Sequence, residues 1–208
     1  MIIAVDGPLA SGKGTIARAL AAHFKLPYLD TGSLYRATGV AVIDAGIDPT
    51  DEAACARAAR TLDLATIDEA RIRTAEAGAM ASRVAALPAV REALYELQRD
   101  FATRPGGAIL DGRDIGTVIC PDADVKLYIT ADTETRARRR WSELKAGGET
   151  ISLEDMLAQT RERDLRDAER ADAPMRPAED ATLLDTSSLS IDAAVTEAVA
   201  IVEKRQKA

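Results

Sequence analysis

The chain has 208 residues, 47% of them hydrophobic and 29% charged, and a net charge of −7. That is the size of one sizeable core with small appended lobes, and the wrong sign of field for a general nucleic-acid or membrane-surface binder. Two cysteines, Cys55 and Cys120, cannot build a disulfide framework, the single His23 excludes histidine-rich zinc sites, and no apolar run reaches the ~18 residues of a membrane span, so a protein of the reducing cytoplasm is expected.

The apolar run Ile2 to Val5 reads as a strand buried on both faces, and the pattern Ile16, Ala19, Leu20 as a helix over residues 15–23. Between them lies "GPLASGKGT", residues 7–15. Gly7 and Gly12 give the backbone freedom to turn its N–H groups around phosphate oxygens at the positive end of the helix, where Lys13 can reach the β and γ phosphates. The strict G-x-x-x-x-G-K-[ST] pattern fails by one place, because Gly14 follows the lysine and the hydroxyl arrives at Thr15. This "GKGT" variant is typical of nucleoside monophosphate kinases.

Further on, Tyr28 and Leu29 predict a second strand ending at Asp30, with a turn at Thr31-Gly32-Ser33 and alanine-rich helix through residues 35–60. Leu87, Val90, Leu94, Leu97 and Phe101 recur at helical spacing. Strands follow at 108–111, 125–129 and 182–185, with helices at 134–145, 152–170 and 191–204. Strands alternating with helices predict an α/β fold: a five-stranded parallel sheet covered on both faces. Ligands of such sheets sit beyond the carboxyl ends of the strands, which puts the glycine loop, Asp30-Thr31-Gly32 and Asp111-Gly112-Arg113-Asp114 on one rim. Arg36, one helical turn past Thr31, and Arg113 then converge there, two guanidinium forks suited to an acceptor phosphate. Residues 134–170 carry many arginines, among them Arg136, Arg140, Arg163 and Arg166, with acidic residues in near-equal number. They read either as a helical hairpin laced with ion pairs or as a mobile lid that brings cations over a triphosphate.

Together the segments "GPLASGKGT", "LDTGSLYRA", "VAALPAVREALYELQRDF", "LDGRDIGTVICPDADVKLYITA" and "RDLRDAERADAPMRPAEDATLLDTSSLSID" resemble the bacterial cytidylate kinases over nearly the whole chain. The resemblance implies one kinase domain over residues 1–208, with a P-loop core in 1–30 and 105–208, a monophosphate-binding lobe in 31–104 and a lid in 134–170. It implies transfer of the γ-phosphoryl group of Mg-ATP to CMP or dCMP. Gly7, Pro8, Leu9, Ala10, Ser11, Gly12, Lys13, Gly14 and Thr15 would hold ATP, and Thr15 would help place Mg²⁺, directly or through water. Arg36, Arg113 and Arg170 would bind the CMP phosphate and act with Lys13 in catalysis. Thr31, Ser82, Arg91 and Asp114 would read cytosine, while Arg163 and Asp167 would meet the sugar. A carboxylate beside an arginine complements the N4 donor and the N3 and O2 acceptors of that base.

Two departures stand out. Many relatives carry small or hydroxyl-bearing residues and a glycine where Leu9 and Ala10 stand, and the stretch "LDLATIDEARIRTAEAGAMAS" is shorter than the strand-rich insertion of many bacterial members, so a reduced monophosphate lobe is expected. The rival readings are a kinase of UMP, AMP or shikimate, and a P-loop switch acting on partner proteins. No N-K-x-D motif supports the switch. Small-molecule substrates, a monomeric state and no nucleic-acid or membrane partner complete the expectations.

Overall fold

The computed structural model describes residues 1–63 and 66–206. Strand β1 (Ile2–Asp6) is the centre of the sheet, and Ile3, Ala4 and Val5 have no exposed surface, as an apolar run without alternation requires. The other strands are β2 (Tyr28–Asp30), β3 (Ala108–Gly112), β4 (Val125–Thr130) and β5 (Thr182–Asp185). All pair in parallel in the order β2-β3-β1-β4-β5. Helices α1 (Lys13–Phe24) and α8 (Ile191–Gln206) cover one face, where Ile16, Leu20, Ala198 and Val202 pack on Ile3, Val5, Ile109 and Leu127. On the other face Ala4 and Leu110 meet Ala102, at the end of α5 (Pro88–Ala102), and Ile115 and Ile119. The five-stranded parallel α/β fold is as the sequence predicts.

The helices of residues 31–104 differ from the reading at three places. Thr31-Gly32-Ser33 is the first turn of α2 (Thr31–Asp44), because Asp30 is an N-cap whose carboxylate accepts from the Ser33 N–H at 3.1 Å. The alanine-rich stretch 35–60 is two helices, α2 and α3 (Glu52–Arg60). Gly46, at φ 62°, ends the first in the left-handed conformation, and Asp51 caps the second by accepting from Ala54 N–H at 2.9 Å. A further helix, α4 (Ala75–Val84), is capped by Thr74 and carries Ser82. Helices α2 to α5 pack around Leu34, Val42, Cys55, Val84, Val90 and Leu94, and no strand occurs among the described residues of 31–104.

Helices α6 (Thr133–Ala146) and α7 (Leu153–Glu169) form the arginine-rich hairpin, with a small core of Ala137, Leu144 and Met156. Trp141 donates to the Ile151 carbonyl at 2.8 Å and ties the connection down. Among the described residues no helix is long and apolar enough to cross a membrane.

Candidate active site

The glycine loop sits at the carboxyl end of β1 and is clamped from outside. A side chain at Gly7 would place its Cβ 1.9 Å from the Ile129 carbonyl oxygen, so the loop can pass β4 only at a glycine. Gly12, at φ 90°, turns the chain into α1, where its carbonyl accepts from Thr15 and Ile16 at 3.1 Å each. Ala10 also stands in the left-handed region, at φ 59°. A side chain costs about 1–2 kcal/mol there, which is the penalty for alanine at a place that favours glycine. The loop is bolted at Ser11, whose carbonyl accepts from the Thr186 hydroxyl at 2.8 Å, and at Leu9, whose carbonyl accepts from Arg136 at 3.4 Å. Arg136 is itself fixed by Asp164 at 2.6 Å and the Ala131 carbonyl at 2.8 Å. The first N–H groups of α1 have no partner within the helix and face a ready anion site.

Lys13 projects into that site. Burial, and then the neighbouring Arg113, push its ammonium down to about 7 against the pull of Asp111 and Asp30. Asp111 is pushed up to about 6 by burial and by Asp30, although it accepts from the Tyr28 hydroxyl at 2.9 Å. Its Oδ2 lies beside Gly14, within 3.4 Å of where a Cβ would be. Asp30 also pairs with Arg36 at 2.6 Å, and the Thr31 hydroxyl donates to the Asp111 carbonyl at 2.8 Å. One strand further on, Asp6 accepts from the Ile115 and Gly116 N–H groups at 2.8 and 2.7 Å. It thereby holds the π-helical turn Ile115–Ile119 that follows Asp114.

The opposite wall of the site is assembled from side chains of separate elements. Arg91 of α5 and Asp114 after β3 form a buried ion pair, 6% and 7% exposed, and Arg170 stands 3.4 Å from the same carboxylate. Arg113 binds Asp167 at 3.1 Å, and Arg163 lies 3.9 Å from it while donating to the Gly78 carbonyl. Burial alone would raise the Asp167 carboxyl, but Arg113, Arg163 and Arg170 outweigh it and hold the group below its ordinary value. Burial and Arg113 together push Arg163 down to about 10, and burial and Arg91 depress Arg170. Cations that depress one another fit a place built for an anion. Consistent with this, Arg36 Nε, Arg163 Nε and Arg170 Nη2 are buried with no hydrogen-bond partner among the described residues.

A cavity of about 310 Å³ joins the two halves. Leu9, Ala10, Gly12, Lys13, Gly14 and Thr15 line its loop side; Thr31, Arg36, Ser82, Arg91, Arg113, Asp114, Arg163, Asp167 and Arg170 line the other. Of the residues read from the sequence, Gly7, Pro8 and Ser11 lie outside this lining and shape the loop from beneath. Ser82 and Arg91 are buried, whereas helix-surface residues of their types are ordinarily exposed. The sequence reading missed Tyr35, Arg73 and Glu143, which line the same cavity together with Arg140 of the arginine-rich stretch; Arg166 of that stretch donates to Ser82 at 2.8 Å while pairing with Glu162 four residues earlier. A second cavity, of about 280 Å³, opens on the other side of the loop beside Ala10, Gly12 and Thr15, and is walled by Arg139, Thr186, Leu189 and Ile191. Only the arginine-rich composition of α6 could have pointed to it.

A glycine cradle and lysine at the rim of a parallel sheet, facing a ring of buried guanidiniums across one cavity, define a P-loop kinase. The fold agrees with solved structures of low identity. One is an uncharacterised protein from Eubacterium ventriosum (TM-score 0.56, 15% identical, covering 100% of this chain and 99% of that one). Another is a gluconokinase from Sinorhizobium meliloti (TM-score 0.52, 14% identical, covering 99% and 93%). The family model described as cytidylate kinase matches residues 3–204. Curated cytidylate kinases from Methylocella silvestris and Cereibacter sphaeroides are 58% and 59% identical, each over 98% of this chain and 94% and 96% of theirs. That from Rhodospirillum rubrum is 55% identical over the full length of both. The chain belongs to the cytidylate kinase family.

Proposed function

We propose that the enzyme transfers the γ-phosphoryl group of ATP to the 5′ phosphate of CMP or dCMP. The observation that carries this reading is the buried Arg91–Asp114 pair in the same cavity as Lys13. The Asp114 carboxylate can only accept hydrogen bonds, so it suits the N4 amine of cytosine and repels O4 of uracil. Arg91 complements N3 and O2. Ser82, oriented by Arg166, and Thr31 border the base, and Arg163 with Asp167 meets the ribose. The Thr31 hydroxyl donates to the Asp111 carbonyl, so toward the base it is left as an acceptor.

The triphosphate lies in the glycine loop against Lys13, and the adenine in the less polar second cavity beside Arg139 and Ile191. Arg36, Arg113 and Arg170 hold the acceptor phosphate in line with the γ phosphorus. That phosphate is largely dianionic near neutrality, its second pKa being ~6, so no general base is required. A phosphate oxygen forms the new bond to γ phosphorus as the bond to the β–γ bridging oxygen breaks, and Lys13 and the arginines stabilise the spread charge. The α6–α7 hairpin acts as a lid over this chemistry and excludes water as an acceptor.

The donor set fits Mg²⁺ brought by the nucleotide. Mg²⁺ bound with a nucleotide is ligated mainly by phosphate and water and needs few protein groups. Thr15 would hold it, with Asp111 and Asp30 accepting from its waters; burial, and then Asp30, raise the Asp111 carboxyl, and a cation there would offset both. Mg²⁺ supplies charge neutralisation on the β and γ oxygens. The buried free thiols of Cys55 and Cys120 fit a reducing cytoplasm.

The test is a coupled assay with CMP, dCMP, UMP and AMP on the parent and on Asp114→Asn, whose amide can turn its NH₂ toward O4. Direct hydrogen bonding to a base edge discriminates by roughly 10⁴, and the substitution is expected to shrink the CMP to UMP ratio of kcat/KM by at least about tenfold. An unchanged ratio in a folded variant would remove Asp114 from base reading.

A further inference from the structure

The strap after α7 bends back on itself and brings a second carboxylate to Arg91. Arg170 Nε donates to the Ala173 carbonyl at 2.5 Å, Met175 N–H to the Asp167 carbonyl at 2.8 Å, and Ala173 takes the left-handed conformation at φ 48°. This tight turn carries Asp172 outward, where its carboxylate accepts from Arg91 Nε at 3.1 Å. Arg91 is then engaged on all its nitrogens: Nε by Asp172, Nη1 by the Ala85 carbonyl at 3.5 Å and Nη2 by Asp114. A guanidinium has its N–H donors in one rigid plane, so fixing three of them fixes the direction of the rest.

We infer that Asp172 is a positioning residue for base recognition, setting the plane of Arg91 against the base. The inference rests on the reading of Arg91 and Asp114 given above. Its physical ground is the geometry of the fork. Asp114 faces both Arg91 and Arg170 with Asp172 in place. Asp172 adds a second carboxylate, which balances the four side chains in charge and tethers Arg91 at Nε, so that the remaining N–H groups of the guanidinium keep one direction. Burial works against the charge of Arg91, and Tyr35, Asp114 and Asp172 together overcome it and hold the guanidinium above its ordinary value. Asp172 lies two residues beyond Arg170, so one strap orients both the base reader and a phosphate ligand.

The experiment compares Asp172→Ala, Asp172→Asn and Asp172→Glu with the parent for CMP, UMP and ATP. The Asp172 side chain is 48% exposed, so its removal leaves the fold intact, which thermal melting verifies. Asp172→Ala is expected to raise KM for CMP about three- to tenfold. It should leave KM for ATP unchanged and lower the CMP to UMP preference, and Asp172→Glu should recover most of the loss. In an Arg91→Ala background the Asp172 substitution should have no further effect; where that background does not fold, Arg91→Lys, which lacks the fork, serves the same purpose. An unchanged KM for CMP, an equal rise for ATP, or a full effect in the absence of Arg91 would each overturn the role. If the Arg91 variants themselves leave CMP binding untouched, the base reading fails; if they weaken it and Asp172→Ala does not, only the positioning role fails.

Discussion

The two sides of the cavity, which we read as a donor half and an acceptor half, are built by different means. The donor half is backbone: one continuous stretch, residues 7–15, whose shape comes from Gly7 passing under the Ile129 carbonyl and Gly12 turning into α1. The acceptor half is side chain: Arg36, Arg91, Arg113, Arg163 and Arg170 reach it from α2, α5, the β3 loop, α7 and the strap beyond. A backbone cradle tolerates changes such as Leu9 and Ala10, because its N–H groups do not depend on side-chain identity. A side-chain cluster does not, since three of its guanidiniums are aimed by carboxylates: Arg36 by Asp30, Arg91 by Asp114 and Asp172, Arg113 by Asp167.

The largest expected effect comes from the lysine of the donor half. Lys13→Met should keep the melting temperature yet lower kcat by about 10³-fold or more, through lost stabilisation of the transferring group; near-normal turnover in a folded variant would refute the role of Lys13. Next come the acceptor arginines. Arg36→Ala and Arg113→Ala should raise KM for CMP by about 10- to 100-fold while ATP changes only a few-fold. Arg113→Ala should also melt lower than Arg36→Ala, because it strips the buried Asp167 of its nearest cation, whereas Asp30 is more exposed. Equal losses for both nucleotides would erase the distinction between the halves.

A smaller effect concerns protons. With Lys13 pushed down to about 7, the free enzyme loses that charge as pH rises through neutrality, and a bound triphosphate restores it. ATP binding at pH 8 should therefore take up close to one proton, seen as a dependence of calorimetric heat on buffer ionisation enthalpy. Affinity should fall by up to about tenfold per pH unit above 7; zero uptake at pH 8 would mean that Lys13 stays charged in the free enzyme. The linked stability has the opposite sense. The unfolded chain binds more protons than the native one between about 7 and the ordinary lysine value, so the Lys13 contribution to stability rises with pH in that window. Asp6, raised to about 7 by burial, does the reverse: the native state holds the extra proton between the ordinary carboxyl value and 7, and its contribution falls as pH rises through that range.

The smallest effect belongs to the hairpin. It touches α4 through Glu149 accepting from Ala75 N–H at 2.7 Å, Arg163 donating to the Gly78 carbonyl at 3.2 Å and Arg166 donating to Ser82. If it works as a lid, protease cleavage near Gly147 and Gly148 should slow about threefold or more when ATP and CMP analogues bind together, by local ordering. Unchanged cleavage at saturation would leave a static, ion-paired hairpin.

What the sequence by itself determined is whatever local physics dictates within one short window. The apolar runs of β1 and β3 specify buried parallel strands, and the glycines around Lys13 specify a phosphate loop whatever follows. The parallel alternation then puts Asp30, Asp111 and the loop on one rim. Local signals at helix ends were present but not used: Asp30, read as the end of a strand before a turn, is an N-cap, Thr74 caps a helix that was not predicted, and Gly46 divides an alanine-rich run that composition alone makes continuous. The tertiary structure alone decided the burial of Ser82 and Arg91, the tether of Arg91 to Asp172 and the clamp of Arg136 on Leu9. Those contacts join residues 81, 84 and 127 positions apart, and no periodicity within a helix records which distant charge will face it. The energy that aims a guanidinium comes from its partner carboxylate, and that partner is chosen by how the helices pack.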